Sequence, residues 1–159
     1  MSIEFTSGEG FELNLEIAAL PLRLIFYGAD AAMQARWREA YQAFRSPSRA
    51  NAPLVEAIVE PGEPFLPLQP PTWRIETATK DGRIDVFSHL EKGWFDLNAG
   101  RGCLTLRPNG NPENYLRVVY AWRCLAHESL LLHASGMIRN GRGYVFFGHS
   151  GSGKTTLAR

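Results

Sequence analysis

The last dozen residues constrain this chain more than any other stretch. In Gly148-His149-Ser150-Gly151-Ser152-Gly153-Lys154-Thr155-Thr156-Leu157-Ala158-Arg159, four residues (Gly148, Gly153, Lys154 and Thr155) fill the fixed positions of the phosphate-binding loop, G-x-x-x-x-G-K-[ST]. The glycines let the backbone turn with its N–H groups inward, which makes a concave nest for an anion. Lys154 is placed to set its charge against β- and γ-phosphates, and the Thr155 hydroxyl to hold Mg²⁺. A helix opening near Gly153 adds the positive end of its dipole to the same phosphates. The candidate nucleotide site is therefore Gly148, His149, Ser150, Gly151, Ser152, Gly153, Lys154, Thr155 and Thr156. Thr155 is its metal ligand, and ATP with Mg²⁺ is what such a site takes.

A loop of this kind needs a buried strand before it and a helix after it. Tyr144-Val145-Phe146-Phe147 is a short apolar run directly ahead of Gly148, and Thr155-Thr156-Leu157-Ala158 suits a first helical turn. Strand, loop and helix start come in the required order.

Upstream, the periodicity changes several times. Residues 11–26 alternate as two strands, with Pro21 marking an edge or bend between them. From Asp30, a plausible N-cap, Met33, Trp37, Ala40, Tyr41 and Phe44 recur at helical spacing and form a core-facing stripe. Leu54 to Glu60 reads as a short strand. The five prolines of residues 61–71 predict an extended connector.

Residues 72–107 read as a meander, with strands over 73–79, 83–88, 94–99 and 103–107. Asp81-Gly82 and Gly100-Arg101-Gly102 supply its turns. Asp85 and Asp96 fall on different strands with nothing to pair them, so both are expected to be solvated. Asn111 and Pro112 predict the N-cap and first position of a helix that runs to about Ala126. Its expected buried side includes Leu116, Val118, Val119, Ala121, Trp122 and Leu125, with Tyr115, Arg117, Tyr120 and Arg123 at the margins. A strand over 130–138, a turn at 140–143 and the strand 144–147 complete the chain.

The fold expected from this pattern is α+β. A mostly antiparallel sheet with one or two helices occupies residues 1–110, and the start of a phosphate-loop core occupies 111–159. A phosphate loop normally leads into a long helix, further strands and an acidic residue that completes the Mg²⁺ site. We therefore expect this sequence to be a portion of a longer protein. A net charge of +1 gives no sign of nucleic-acid binding. No apolar run approaches the roughly 20 residues of a membrane span. Cys103 and Cys124 are too few for a disulfide framework and read as buried thiols, which makes the cytoplasm the expected compartment.

With these residues in view, the C-terminal stretch resembles the HPr kinase/phosphorylase group, whose catalytic domain is related to phosphoenolpyruvate carboxykinase. His133 stands fifteen positions ahead of Gly148, and Gly141 and Gly143 lie in the intervening hairpin. The phosphate loop also comes late, behind an α+β unit. The resemblance is specific over about residues 111–159 and loose over 1–110. It implies a phosphoenolpyruvate carboxykinase-like core in which Gly148 to Thr155 bind ATP phosphates, Thr155 binds Mg²⁺, and His133 lies beside the active site as a candidate catalytic residue. His149 takes a variable slot of the loop. The implied activity is phosphate transfer to a hydroxyl, with a protein or peptide as acceptor, and a homo-oligomer is compatible with it. The acidic residues that act as base and metal ligands in that group lie after the loop and have no counterpart in these 159 residues.

Two other readings stay open. The loop also looks like that of ABC transporter ATPases, although those usually reach it within about forty residues of the start. A non-enzymatic module that senses nucleotide or binds a peptide through residues 1–110 is the third.

Overall fold

The computed structural model describes residues 10–68, 74–149, 151–153 and 156. Its larger part is a seven-stranded sheet. In chain order the strands are β1 (Phe11–Ile17), β2 (Leu20–Tyr27), β3 (Leu54–Val59), β4 (Glu76–Lys80), β5 (Arg83–Phe87), β6 (Glu91–Asp96) and β7 (Arg101–Leu106). They lie side by side as β1-β2-β3-β7-β6-β5-β4. Four pairings are antiparallel; β2–β3 and β3–β7 are parallel. The sheet is thus mostly antiparallel, as the alternation predicted, with a parallel centre that no local pattern announced. Helix α1 (Ala31–Ala40) makes the crossover from β2 to β3, the usual way to join parallel neighbours. A 3₁₀ turn, Gln42–Phe44, follows it.

The register explains the burial. Leu24, Val55, Gly102, Phe95 and Ile84 stand in one row across five strands, and all five are buried. A second row, Phe26, Ala57, Leu104, Gly93 and Val86, points the same way. This face is covered by α1 and by α2 (Glu113–Ala126). Trp37 of α1 is fully buried, with its ring 4.5 Å from Phe26 and 6.4 Å from Phe11, so one aromatic cluster holds α1 to β1 and β2. Asp30 caps α1 as predicted, its carboxylate accepting from the Met33 N–H at 2.7 Å.

Helix α2 differs from expectation in both its cap and its face. Asn111 does not cap it; its Oδ1 accepts instead from the Tyr41 hydroxyl at 2.7 Å, and Pro112 is the N-cap. The Glu91 carboxylate of β6 takes over the cap, accepting from the Tyr115 N–H at 2.7 Å and the Asn114 side-chain amide at 3.1 Å. The buried stripe is Tyr115, Leu116, Val119, Tyr120, Arg123 and Cys124, whereas Trp122 and Leu125 are exposed. The sequence pattern ranked side chains by polarity, but orientation is fixed by Tyr115. Its hydroxyl reaches through the core to the Trp94 carbonyl at 2.8 Å, over Gly93 and Gly102. A Cβ at Gly102 would lie 2.5 Å from that hydroxyl and 2.7 Å from the Trp94 carbonyl oxygen.

Gly102 is therefore a strand residue under a tyrosine, not part of the second turn. The strand boundaries shift accordingly, to 91–96 and 101–106. The turn between them is held by the Asp96 carboxylate, which accepts from Asn98 N and Ala99 N at 2.9 Å. Asp85 is paired as well, with Arg83 at 2.9 Å. Both aspartates expected to be merely solvated thus have partners close in sequence. The proline-rich connector is tied down by Arg107, which donates to the Glu63 carbonyl at 2.8 Å and lies over the Phe65 ring. Because α2 shares one core with the sheet, the expected division at residue 110 separates elements that pack together.

Candidate functional site

The phosphate-loop motif follows a separate two-stranded hairpin, β8 (Ala134–Arg139) and β9 (Arg142–Phe147). Asn140 and Gly141 form its turn, with φ of +52° and +71°, the left-handed pair that a two-residue loop between twisted strands demands. The expected strand over 130–138 is shorter at its start. Leu130, Leu131 and Leu132 lie outside the ladder, because its partner strand ends at Phe147 and Gly148 begins the loop. The last paired residues are Ala134 and Phe147, so His133 and Gly148 are the two positions that flank the end of the ladder. The fifteen-residue spacing of the sequence thus becomes adjacency at one end of a hairpin.

Past Gly148 the backbone curls. The Ser152 N–H donates to the His149 carbonyl at 3.2 Å, and the Ser152 hydroxyl lies 3.2 Å from where a Cβ on Gly148 would stand. Gly151 and Gly153 have φ of +82° and +79°, and nothing lies within 4 Å of a Cβ built on either. Glycine is required there by conformation rather than by crowding. Thr156 is helical. Gly148, His149, Ser152 and His133 are all exposed at this end of the hairpin. Ser150, Lys154 and Thr155, which were to supply a loop amide, the phosphate-facing charge and the metal ligand, lie outside the described residues. Among the described residues no group of three or more His, Cys, Asp or Glu side chains is placed to hold a metal ion.

A second concave feature lies next to His133. A cleft of about 690 Å³ opens between the end of β1, the end of α1 with its 3₁₀ turn, the first half of α2 and residues 131–133. Leu116, Ala121 and Phe44 give it apolar walls, and Tyr41, Asn111, Glu113, Arg117 and Tyr120 contribute polar groups beside His133. Sequence reasoning missed these polar residues as a set. Tyr41 and Asn111 are 70 positions apart and carry no shared motif, so only the packing of α1 against the start of α2 joins them.

Cys103 and Cys124 are free thiols, Cys124 buried and Cys103 half-buried, and burial pushes the Cys103 pKa up. No helix among the described residues is long and apolar enough to cross a membrane. No protein-family model matches the chain, and neither a curated protein nor a solved structure matches it.

Proposed function

We propose that residues 148–156 bind the phosphates of ATP with Mg²⁺, as the nucleotide site of an HPr-kinase-like phosphotransferase with a phosphoenolpyruvate carboxykinase-like core. The observation that carries this reading is the curl after β9. A strand, exposed among the described residues rather than buried as expected, runs into a turn closed from Ser152 to His149, with two glycines in the left-handed region and a helical residue beyond them. Left-handed glycines of this kind are what lets a backbone turn its N–H groups toward an anion, and this supports the reading. The motif gives Lys154 the role of a point charge on the β- and γ-phosphates and Thr155 that of a Mg²⁺ ligand, the ion neutralising charge that develops during transfer. His133, flanking the same end of the hairpin as Gly148, is the side chain we assign to the margin of the site.

The acceptor in this reading is a hydroxyl group on a protein or peptide. The kinase reading is favoured over a transport ATPase because the loop is fed by a hairpin that brings His133 beside Gly148. Calorimetric titration with Mg-ATP tests the phosphate site. Lys154→Ala should abolish the binding seen with the unaltered chain, since it removes the charge that faces the phosphates. Equal binding by both proteins rejects the assignment.

A further inference from the structure

The cleft between α1 and α2 and the phosphate loop meet at one residue. His133 lines the cleft, and it also flanks the end of the β8–β9 ladder across from Gly148, where the loop begins. The cleft measures about 690 Å³, within the range of small-molecule sites, and its walls come from β1, α1 with its 3₁₀ turn, α2 and the segment before β8. A nucleotide has two chemically distinct ends. The loop motif accounts for the phosphates and leaves the base without a site.

The lining suits an uncharged heteroaromatic ring. Its two oppositely charged side chains, Glu113 and Arg117, are bonded to each other one helical turn apart, so neither is left to attract an ion. Ile17, Phe44 and Leu116 supply apolar surface for a ring to lie on. Asn111 supplies the polar edge. The Tyr41 hydroxyl donates to Asn111 Oδ1 at 2.7 Å, which fixes which way round the amide sits. Asn111 Nδ2 has no partner among the described residues and is not sealed from solvent. The amide therefore keeps a donor beside the second lone pair of Oδ1. That pair matches the N7 acceptor and N6 amino donor of adenine, whereas guanine sets the O6 acceptor where Oδ1 needs a donor.

Resting on the phosphate-loop reading, we propose that this cleft takes the adenine base of the nucleotide whose phosphates the loop holds, with Asn111 reading its N6–N7 edge. The probes are Mg-ATP, Mg-GTP and Mg-tripolyphosphate, titrated into the full chain labelled with ¹⁵N and followed by backbone amide shifts. Mg-ATP should shift the amides of Tyr41, Asn111 and Leu116 together with those of Gly151 and Gly153. Mg-tripolyphosphate, which lacks base and sugar, should shift the loop amides alone. Mg-ATP should bind about tenfold tighter than either other probe, toward the lower end of the discrimination that a bidentate contact to a base carries.

Asn111→Ala should bring Mg-ATP and Mg-GTP to equal affinity. Ala40→Trp, at an exposed position on the cleft wall, leaves Asn111 in place and should bring all three probes to the same affinity by filling the cleft, so a folding defect in the first variant does not remove the test. Leu125→Ser, exposed on α2 and outside the cleft, should change nothing. Mg-tripolyphosphate binding as tightly as Mg-ATP overturns the base site while the loop reading stands. Failure of all three probes to bind overturns the loop reading and the base site with it. Equal affinity for Mg-ATP and Mg-GTP, or an ATP preference that survives both Asn111→Ala and Ala40→Trp, also overturns the base site.

Discussion

The Glu91 carboxylate accepts a hydrogen bond from the Tyr115 backbone N–H at 2.7 Å, so a strand residue caps a helix 24 positions further along the chain. The contact fixes where α2 begins and sets Tyr115 over the glycines of β6 and β7. The carboxyl group is buried, and burial raises its pKa to about 7 against the opposing pull of the Tyr115 and Asn114 hydrogen bonds. Desolvation wins because the helix-end donors only partly replace the lost water.

This relationship predicts a pH dependence of stability. With the folded-state pKa above the unfolded one, the folded chain binds more protons between about pH 4.5 and 7, so stability falls as pH rises through that window. The whole shift corresponds to up to roughly 3 kcal/mol. Glu91→Gln cannot titrate there. Urea unfolding of both proteins at pH 5 and pH 8 should show the unaltered chain losing stability relative to the variant as pH rises. A gap that stays constant between the two conditions would mean that Glu91 does not titrate in this way.

Gly102→Ala should destabilise the fold by about 1–3 kcal/mol, the usual cost of overpacking a filled core. The added methyl meets the Tyr115 hydroxyl and the Trp94 carbonyl, and neither is a loose side-chain end. In a Tyr115→Phe background the nearer obstacle is gone, and the same substitution should cost less. A double-mutant cycle measures this; strict additivity would sever the link between the two residues.

Asp30→Ala removes the acceptor for the Met33 N–H and should cost about 1 kcal/mol in chemical denaturation, while Asp30→Asn should retain most of the stability. Equal stability for all three chains would show that the cap does not contribute.

Gly153→Ala should weaken Mg-ATP binding through backbone strain alone, because φ there is +79° and a methyl would touch nothing. Gly143→Ala, on the strand leading into the loop and equally open, should leave binding unchanged. Matching affinities for the two variants would mean that the left-handed conformation at Gly153 is not needed for phosphate binding.

What could be read directly from the residues was whatever is local in the chain. The Asp30 cap, the Asn140-Gly141 turn, the alternation of β1 and β2 and the phosphate-loop motif all depend on neighbours a few positions apart, whose chemistry is visible in order. Tertiary structure alone decided that β3 lies between β2 and β7 in parallel, and that Glu91 rather than Asn111 serves α2. It also decided that Tyr115, Tyr120 and Arg123 turn inward while Trp122 and Leu125 face solvent. The physical reason is that a helix presents whichever side its longest-reaching contact demands. Here a tyrosine hydroxyl finds a strand carbonyl only where two glycines leave room, and that match between distant segments is not written in the periodicity of either.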